Sequence, residues 1–345
     1  MTESTKPSTK PVVLLRPAPQ KRDRIFTPEA LARLDAAFTV VDLEDAPDDA
    51  LFEEHLQDAF AIVGQPDLDA DRLARATSLK ALINVEGNFF PNVDYGTAFA
   101  NGVRVLGCGS AYSQAVAEFS LGLALDLARG ISGQDGAMRN GTEKYVSESA
   151  GDAILLHRAA VGILGYGNLG RSFHRLLQPF HATVRIYDPW LPPAVIEETG
   201  GIPTGLEETL RSSQFLFVFA TATADNAHLL DGAALDLLPD GARIILVSRA
   251  AVVDYDALLE RLQQGRFLAA IDVWPTEPLP KDSPFRELAN TVLSPHRAGG
   301  IPQAFSSIGD MVVDDLTLMA RGLPPVRLQA AAPELVGRYR NKPVT

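Results

Sequence analysis

The sequence contains one cysteine, Cys108, among its 345 residues. A single thiol cannot form an internal disulfide, and without CxxC pairs or Cys/His clusters the sequence predicts no metal site. We therefore expect a cytoplasmic chain from a reducing compartment, in which Cys108 is a small buried residue rather than a nucleophile.

Long apolar runs and an excess of positive charge are also missing. No apolar stretch approaches the roughly 20 residues that span a bilayer, and the polar residues 1–10 predict a loose N-terminal tail rather than a signal peptide. Lys and Arg number 31 against 43 Asp and Glu, which gives a net charge of -12. Such acidity predicts no nucleic-acid partner and no membrane partner, although a local Arg can still bind a small anion.

Short β-rich apolar runs alternate with helix-sized segments along the rest of the chain, which predicts an α/β fold with parallel sheets. The length favours two domains. The first series of predicted strands is 12–15, 40–43, 61–64, 81–85 and 103–106. A long helix is predicted over 113–129 and a surface loop over 140–152. The second series of predicted strands is 161–164, 184–187, 215–219, 244–247, 268–273 and 292–294. One more helix is predicted over 304–319.

A GxGxxG motif follows the first strand of the second series and opens a helix, which is the context that a dinucleotide-binding fingerprint requires. Its predicted cofactor-binding residues are Gly165, Gly167, Asn168, Leu169 and Gly170. Asp188 ends the next strand, where its carboxylate can accept hydrogen bonds from the ribose hydroxyls and would repel a 2′-phosphate. The motif therefore predicts NAD rather than NADP. The alternative is a glycine-rich turn that binds no nucleotide.

Three polar residues follow later strands of the same series. Arg249 comes after the strand ending near Val247, Glu277 after the next strand, and His296 after the last. Ligands of open α/β sheets bind at the carboxyl ends of the strands. An Arg suits a substrate carboxylate, a His can transfer a proton, and a Glu can orient that His. Taken singly, each residue could instead be structural.

These motifs, in this order, resemble the D-isomer-specific 2-hydroxyacid dehydrogenase family from about residue 60 to 320. The resemblance implies two Rossmann-like doubly wound domains, with an NAD-binding domain (119–319) inserted in a flavodoxin-like substrate domain (11–118 and 320–345). It implies hydride transfer between NAD(H) and C2 of a small 2-hydroxy or 2-oxo acid, in a homodimer. Arg249, Glu277 and His296 would be catalytic. The further cofactor contacts would be Ala220, Val247 and Asp272, and the substrate loop would be Gly87, Asn88 and Phe89.

The sequence departs from the family around the substrate. Phe89 replaces a glycine of the substrate loop and would add bulk there, Leu246 stands where the family carries Asn, and Arg297 follows the catalytic histidine. We hypothesise that Arg297 and Tyr112 read a polar tail on the substrate, such as that of a sugar acid. The alternative is that Arg297 forms a salt bridge at the rim.

Two other functions use the same features. An NAD(H)-sensing regulatory protein could share this fold, although it would not need the three catalytic residues. A third possibility is a dehydrogenase of formate or phosphite. Formate dehydrogenases pair their histidine with a preceding Gln, whereas here Pro295 precedes His296, which disfavours this possibility. The remaining histidines are expected to be ordinary residues without partners: His55, His157, His174, His181 and His228.

Overall fold

The predicted alternation of strands and helices is present in the computed structural model, which describes residues 10–46, 48–149, 151, 153–223 and 225–336. The strands are β1 (Val12–Arg16), β2 (Thr39–Asp42), β3 (Ala59–Gly64), β4 (Ala81–Asn84), β5 (Arg104–Gly107), β6 (Ala160–Leu164), β7 (Thr183–Tyr187), β8 (Ile202–Pro203), β9 (Phe215–Val218), β10 (Ala242–Leu246), β11 (Phe267–Ile271), β12 (Thr291–Leu293) and β13 (Gln329–Ala330). The tail predicted over 1–10 lies, except for Lys10, outside the described residues.

The α-helices follow the same chain order. They are α1 (Arg22–Ile25), α2 (Pro28–Ala37), α3 (Ala50–His55), α4 (Ala70–Arg75), α5 (Tyr95–Ala100), α6 (Ser113–Arg129), α7 (Ile131–Asn140), α8 (Asn168–Leu177), α9 (Pro193–Glu197), α10 (Leu206–Arg211), α11 (Gly232–Asp236), α12 (Tyr255–Gln263), α13 (Pro302–Ala320) and α14 (Pro333–Val336). The bounds of α6 are those predicted. The segment predicted as a surface loop over 140–152 begins at the last residue of α7, and its described residues are mostly exposed, with a 3₁₀ turn at Val146–Ser149.

The first of two units contains the described residues up to Tyr112 and from Ile301 onward. Its sheet has the order β2-β1-β3-β4-β5-β13, parallel except for β13, which runs antiparallel to β5. The order β2-β1-β3-β4-β5 is that of a flavodoxin-like sheet. Both faces of β3 are buried because helices cover them, as expected for a central parallel strand.

The domain boundaries predicted at 118/119 and 319/320 are both shifted: the second unit begins at Ser113, the first residue of α6, and helix α13 belongs to the first unit. Its fully buried residues Ile308, Val312 and Leu316 join the core that contains β1, β3 and β4. A Cβ on Gly309 would lie 2.6 Å from the carbonyl oxygen of Ile25, so this glycine permits close packing against α1. The helical period showed that one face was apolar but not which sheet it covers.

The second unit comprises Ser113–Gly300. Its sheet is parallel throughout and has the order β8-β7-β6-β9-β10-β11-β12. This is the doubly wound Rossmann order with one additional strand, and the two-residue edge strand β8 was not predicted. The strand order reverses between β6 and β9, so the carboxyl ends of these strands mark the position where such folds bind ligands.

In the described part of the chain, no helix is both long and apolar enough to cross a membrane. No group of three or more His, Cys, Asp or Glu among the same residues is arranged to hold a metal ion. Cys108 is fully buried, and this burial raises the pKa of its thiol. Cys108 therefore packs as a small apolar residue.

Candidate active site

The turn from β6 into α8 requires glycine at its first position. Gly165 has a φ of +88°, and a Cβ there would lie 2.6 Å from both Cα and N of Ala220, which follows β9. An L side chain would therefore be strained and would also clash with backbone. This close approach places the turn directly against the neighbouring strand at the point of strand reversal.

The other two glycines have different surroundings. No atom lies within 4 Å of a Cβ built on Gly167, so the backbone is open to approach at this position. A Cβ on Gly170 would lie 2.4 Å from the carbonyl oxygen of Gly165, so this glycine lets the helix pack on the turn. The first N–H groups of a helix have no acceptor within the helix, and they suit a phosphate. The turn therefore fits the pyrophosphate of a dinucleotide.

Asp188 follows β7 directly and is half-buried. Its Oδ2 accepts a hydrogen bond of 2.7 Å from the backbone N–H of Tyr166, and its Oδ1 accepts one of 3.0 Å from the N–H of Trp190. These bonds fix the carboxylate beside the glycine turn. Each carboxylate oxygen has a second lone pair, so the group can still accept hydrogen bonds from ribose hydroxyls.

The three predicted catalytic residues follow three neighbouring strands of the second unit. Arg249, Glu277 and His296 come after β10, β11 and β12, and β11 pairs with both of the other strands. Nδ1 of His296 lies 2.8 Å from Oε2 of Glu277, and both side chains are 35% exposed. The pair is therefore formed while the imidazole remains accessible to a ligand.

Backbone geometry supports both members of this pair. Oε1 of Glu277 accepts a hydrogen bond of 3.0 Å from the N–H of Trp274, so the carboxylate cannot rotate freely. His296 has a φ of +49°, a left-handed conformation that non-glycine residues adopt rarely and mainly where the surrounding structure imposes it. The Trp274 indole N–H donates to the carbonyl of Ser294 at 2.9 Å and so ties the two loops together.

Asp272 has a role that the sequence did not reveal. Its side chain is fully buried, and its two carboxylate oxygens accept hydrogen bonds from the N–H groups of Arg297 at 2.9 Å and Ala298 at 3.0 Å. It therefore fixes the loop that carries His296. Its predicted contact with the cofactor stays a prediction, as does that of Val247, which is buried directly after β10.

The two arginines near the strand ends differ in their surroundings. Arg249 is half-buried, and its Nη1 donates to the carbonyl of Ser248 at 2.7 Å, which restricts the guanidinium. Arg297 is exposed, and within the described residues its guanidinium forms no ion pair. The salt bridge considered as an alternative role for Arg297 is therefore absent from that part of the chain.

The predicted substrate loop lies in the first unit, and Phe89 does not behave as predicted. Its side chain is 7% exposed and packs in a core cluster with residues such as Leu82 and Val105. A Cβ on Gly107 would lie 3.4 Å from the Phe89 ring, so this glycine makes room for it. The ring therefore fills the core of the unit rather than adding bulk to the loop surface. Gly87 and Asn88 stay predicted substrate contacts.

Tyr112 also has a partner that the sequence did not indicate. Its hydroxyl donates to the carbonyl of Val85 at 3.2 Å, and its ring packs edge-on against Phe305. Burial raises the pKa of this phenol. A hydroxyl held in this way braces the chain beside the loop, which argues against the hypothesis that Tyr112 reads a substrate tail.

His174 is not the ordinary residue that was expected. It is 3% exposed, and its Nδ1 lies 2.7 Å from the hydroxyl of Tyr166, the second residue of the glycine turn. Burial lowers the pKa of this imidazole. A histidine eight residues after the aromatic residue of a GxGxxG turn was the available signal, and it could not be interpreted before the two side chains were placed.

Comparison with known proteins gives a consistent result. Residues 121–298 match the model of the D-isomer specific 2-hydroxyacid dehydrogenase, NAD binding domain. A crystal structure of a phosphoglycerate oxidoreductase from Rhizobium etli is 41% identical, covers 94% of this chain and 99% of its own, and superposes with a TM-score of 0.85.

Two curated relatives illustrate the range of similarity. A D-3-phosphoglycerate dehydrogenase of Mycobacterium tuberculosis is 32% identical over 266 residues, which are 77% of this chain and 49% of the relative. The chain thus spans about half the length of that relative. A glyoxylate reductase of Thermococcus litoralis is 28% identical over 78% of this chain and 82% of its own length.

Proposed function

Since the chain belongs to the D-isomer specific 2-hydroxyacid dehydrogenase family, we propose that it interconverts a small 2-hydroxy acid and the corresponding 2-oxo acid. Its cofactor is NAD. The observation that carries the proposal is the hydrogen-bonded pair of His296 and Glu277, in which Nδ1 lies 2.8 Å from Oε2. Arg249 follows β10, the strand that pairs with the strand preceding Glu277. We further propose that the second unit carries the reaction chemistry and that the first unit is the substrate domain.

His296 is the proton-transfer group in this proposal. When Nδ1 donates its hydrogen to Glu277, Nε2 is left to exchange a proton with the substrate oxygen. Reduction needs that proton on the carbonyl oxygen, and oxidation needs its removal from the hydroxyl. Glu277 keeps the imidazole in one tautomer and one orientation. A nicotinamide held here would supply the hydride to C2 of the oxo acid on reduction and take it from C2 of the hydroxy acid on oxidation.

Arg249 is the proposed carboxylate-binding group. A planar guanidinium can form two parallel hydrogen bonds to a carboxylate, which orients the acid as well as binding it. Such a pairing would place C2 of the acid in a defined position relative to the imidazole. Its N–H donors can also draw electron density toward the oxygen of the neighbouring 2-oxo group, which makes C2 more electrophilic. A lysine could supply the charge but not the planar geometry.

Asp188 is the proposed reason for preferring NAD to NADP. Its carboxylate is fixed by the two backbone bonds described above. A 2′-phosphate placed against this carboxylate would bring two negative charges together, whereas ribose hydroxyls would donate to it. Glycine residues 165, 167 and 170 and the first turn of α8 would hold the pyrophosphate.

The substrate tail is proposed to be polar or anionic. Arg297 is adjacent to His296 and is exposed without an ion pair among the described residues. Similar proteins are named for phosphoglycerate and glyoxylate. A sugar acid or a phosphorylated acid would give Arg297 a partner, whereas glyoxylate has no tail to offer. Loss of kcat/KM in Arg297→Ala should therefore grow with the charge of the tail, and an equal effect on all substrates would contradict this assignment.

A homodimer in the cytoplasm is the proposed state of the protein. Several large apolar side chains of the second unit are exposed in one stretch of sequence that starts at α7: Ile131, Met138, Tyr145, Val146 and Leu155. Exposed apolar residues concentrated in this way are typical of a protein interface. A second copy would cover them, and the molecular mass in solution tests this.

The proposed activity is tested with a panel of 2-oxo acids and NADH. We expect turnover of at least one acid by the wild type and a loss of about 10²- to 10⁴-fold in kcat for His296→Asn. Asn tolerates the left-handed backbone that His296 adopts. His181→Asn is the matched control, because His181 is an exposed histidine of the same unit with a φ of +52°. NADH binding without turnover of any acid would instead favour a sensing role.

A further inference from the structure

Tyr166 occupies the second position of the glycine turn, yet its ring is 1% exposed. Its hydroxyl lies 2.7 Å from Nδ1 of His174, in α8, and 2.7 Å from Oγ1 of Thr199, which follows α9. Oγ1 of Thr199 in turn lies 2.7 Å from the carbonyl oxygen of Ile196. These contacts form one chain from helix α8, through the turn, to the segment that leads into β8.

The direction of the hydrogen bonds in this chain follows from counting protons. The carbonyl oxygen of Ile196 can only accept, so the Thr199 hydroxyl must donate to it. The Tyr166 hydroxyl must then donate to Thr199, which leaves the phenol oxygen to accept from His174. All three bonds can form together only when Nδ1 of His174 carries a proton. Burial lowers the pKa of His174, so at neutral pH the ring is neutral with this one proton.

The main chain of Tyr166 is held as firmly as its side chain. Its N–H donates to Asp188 at 2.7 Å, and its carbonyl oxygen accepts a hydrogen bond of 3.1 Å from Nε of Arg171. Tyr166 therefore connects the glycine turn with the end of β7, with α8 and with the segment after α9. These are the elements around the proposed ribose-binding carboxylate.

We propose that Tyr166 is a positioning residue for the adenosine half of the cofactor, acting through the chain His174–Tyr166–Thr199. The chain holds the turn and Asp188 in one arrangement before the dinucleotide binds. Without the hydroxyl, the buried N–H of His174 and the acceptor Thr199 lose their partner, so the turn populates other arrangements. Apparent affinity then falls in proportion to the fraction of molecules with a competent turn. This inference rests on dinucleotide binding and not on the identity of the substrate.

The binding experiment uses the full chain and two ligands, NADH and ADP-ribose, the second of which lacks nicotinamide. We expect Tyr166→Phe to lower the affinities for both ligands by the same factor, about tenfold. Tyr255→Phe is the matched control, because Tyr255 is also buried in this unit and donates to the Val273 carbonyl. The control variant Tyr255→Phe should bind ADP-ribose with the affinity of the wild type. Equal affinities in Tyr166→Phe and wild type would overturn the proposal, whereas failure of the wild type to bind either ligand would overturn the cofactor assignment instead.

A second measurement uses the wild type, so it does not require any variant to fold. Nitrogen-15 NMR distinguishes the two neutral tautomers of histidine. We expect His174 to carry its proton on Nδ1, and a proton on Nε2 would overturn the proposed direction of the hydrogen bonds.

Thr199→Val removes the acceptor at the other end of the chain of hydrogen bonds, and it should weaken the binding of ADP-ribose, as Tyr166→Phe does. An unchanged affinity in Thr199→Val would contradict the chain.

Discussion

Replacing the first and second glycines of the turn with alanine should separate stability from cofactor binding. In Gly165→Ala, a left-handed residue acquires a Cβ, which costs about 1–2 kcal/mol. That Cβ would also lie 2.6 Å from the backbone of Ala220, and relieving such overpacking costs about 1–3 kcal/mol more. We expect a total of about 2–5 kcal/mol, which lowers the unfolding midpoint of a domain of this size by roughly 5–15 °C.

Gly167→Ala should behave differently because the position is open. Its φ of −77° suits any residue, and no atom lies within 4 Å of the added Cβ. Alanine at the N-cap is less stabilising than glycine by about 0.5–1 kcal/mol. Alanine also reduces the conformational entropy of the unfolded chain, which offsets that loss by about 0.4–1 kcal/mol. Stability should therefore change little, whereas the methyl group would occupy the side from which the pyrophosphate approaches.

Thermal unfolding without cofactor and titration of NADH fluorescence together test this pair. We expect Gly165→Ala to be strongly destabilised, and Gly167→Ala to unfold like the wild type while binding NADH at least about 100-fold more weakly. Equal stability of Gly165→Ala and wild type would refute the packing argument. Normal NADH binding by Gly167→Ala would refute the assignment of the turn to the pyrophosphate.

Three further predictions concern buried and half-buried carboxylates. Asp315 is fully buried and accepts backbone N–H groups from residues 326, 327 and 328, so Asp315→Ala should lose about 2–4 kcal/mol of unfolding free energy. The control Asp314→Ala removes ion pairs with the exposed Arg33 and Arg327 instead of buried backbone bonds, and it should lose no more than about 1 kcal/mol by chemical denaturation. Bonds from Arg16 and Arg72 lower the pKa of Asp49 below 3.8, so their stabilisation is present above that pH and is lost as the pH falls through the folded-state value. The deficit in melting temperature of Arg72→Met should therefore be full at pH 7 and should shrink as the pH is lowered below 3.8; a deficit that does not shrink in acid would mean lost packing. Asp188→Ser should reduce the preference for NADH over NADPH by about tenfold or more in paired titrations, and an unchanged ratio would remove Asp188 from cofactor selection.

The sequence predicted those features that depend on local pattern. Alternation of apolar runs gave both sheets, and the family resemblance is confirmed by the match over residues 121–298. The three glycines of the turn have the three geometries for which this fingerprint uses glycine: a left-handed φ at Gly165, an open backbone at Gly167 and close helix packing at Gly170. The pairing of His296 with Glu277 follows from their positions after adjacent strands.

Features that depend on which surfaces meet could not be predicted. Phe89 replaces a glycine in a loop, and only the space above Gly107 shows that the ring enters the core. The apolar face of α13 is visible in the sequence, but its burial in the first unit is a tertiary choice. Tyr166 and His174 are eight residues apart, and no periodic pattern marks a hydrogen bond between them. Strand β8 is too short to give a pattern at all.

The proposed reaction moves a hydride from NADH to C2 of a 2-oxo acid. The most direct measurement is to supply NADH carrying deuterium at both C4 positions with a mixture of 2-oxo acids and to analyse the products by mass spectrometry and chiral chromatography. We predict a 2-hydroxy acid of D configuration with one deuterium at C2, formed by the wild type and by His181→Asn but not at a comparable rate by His296→Asn. Oxo acids left unreduced although NADH is bound, or a product without deuterium at C2, would rule out this reaction.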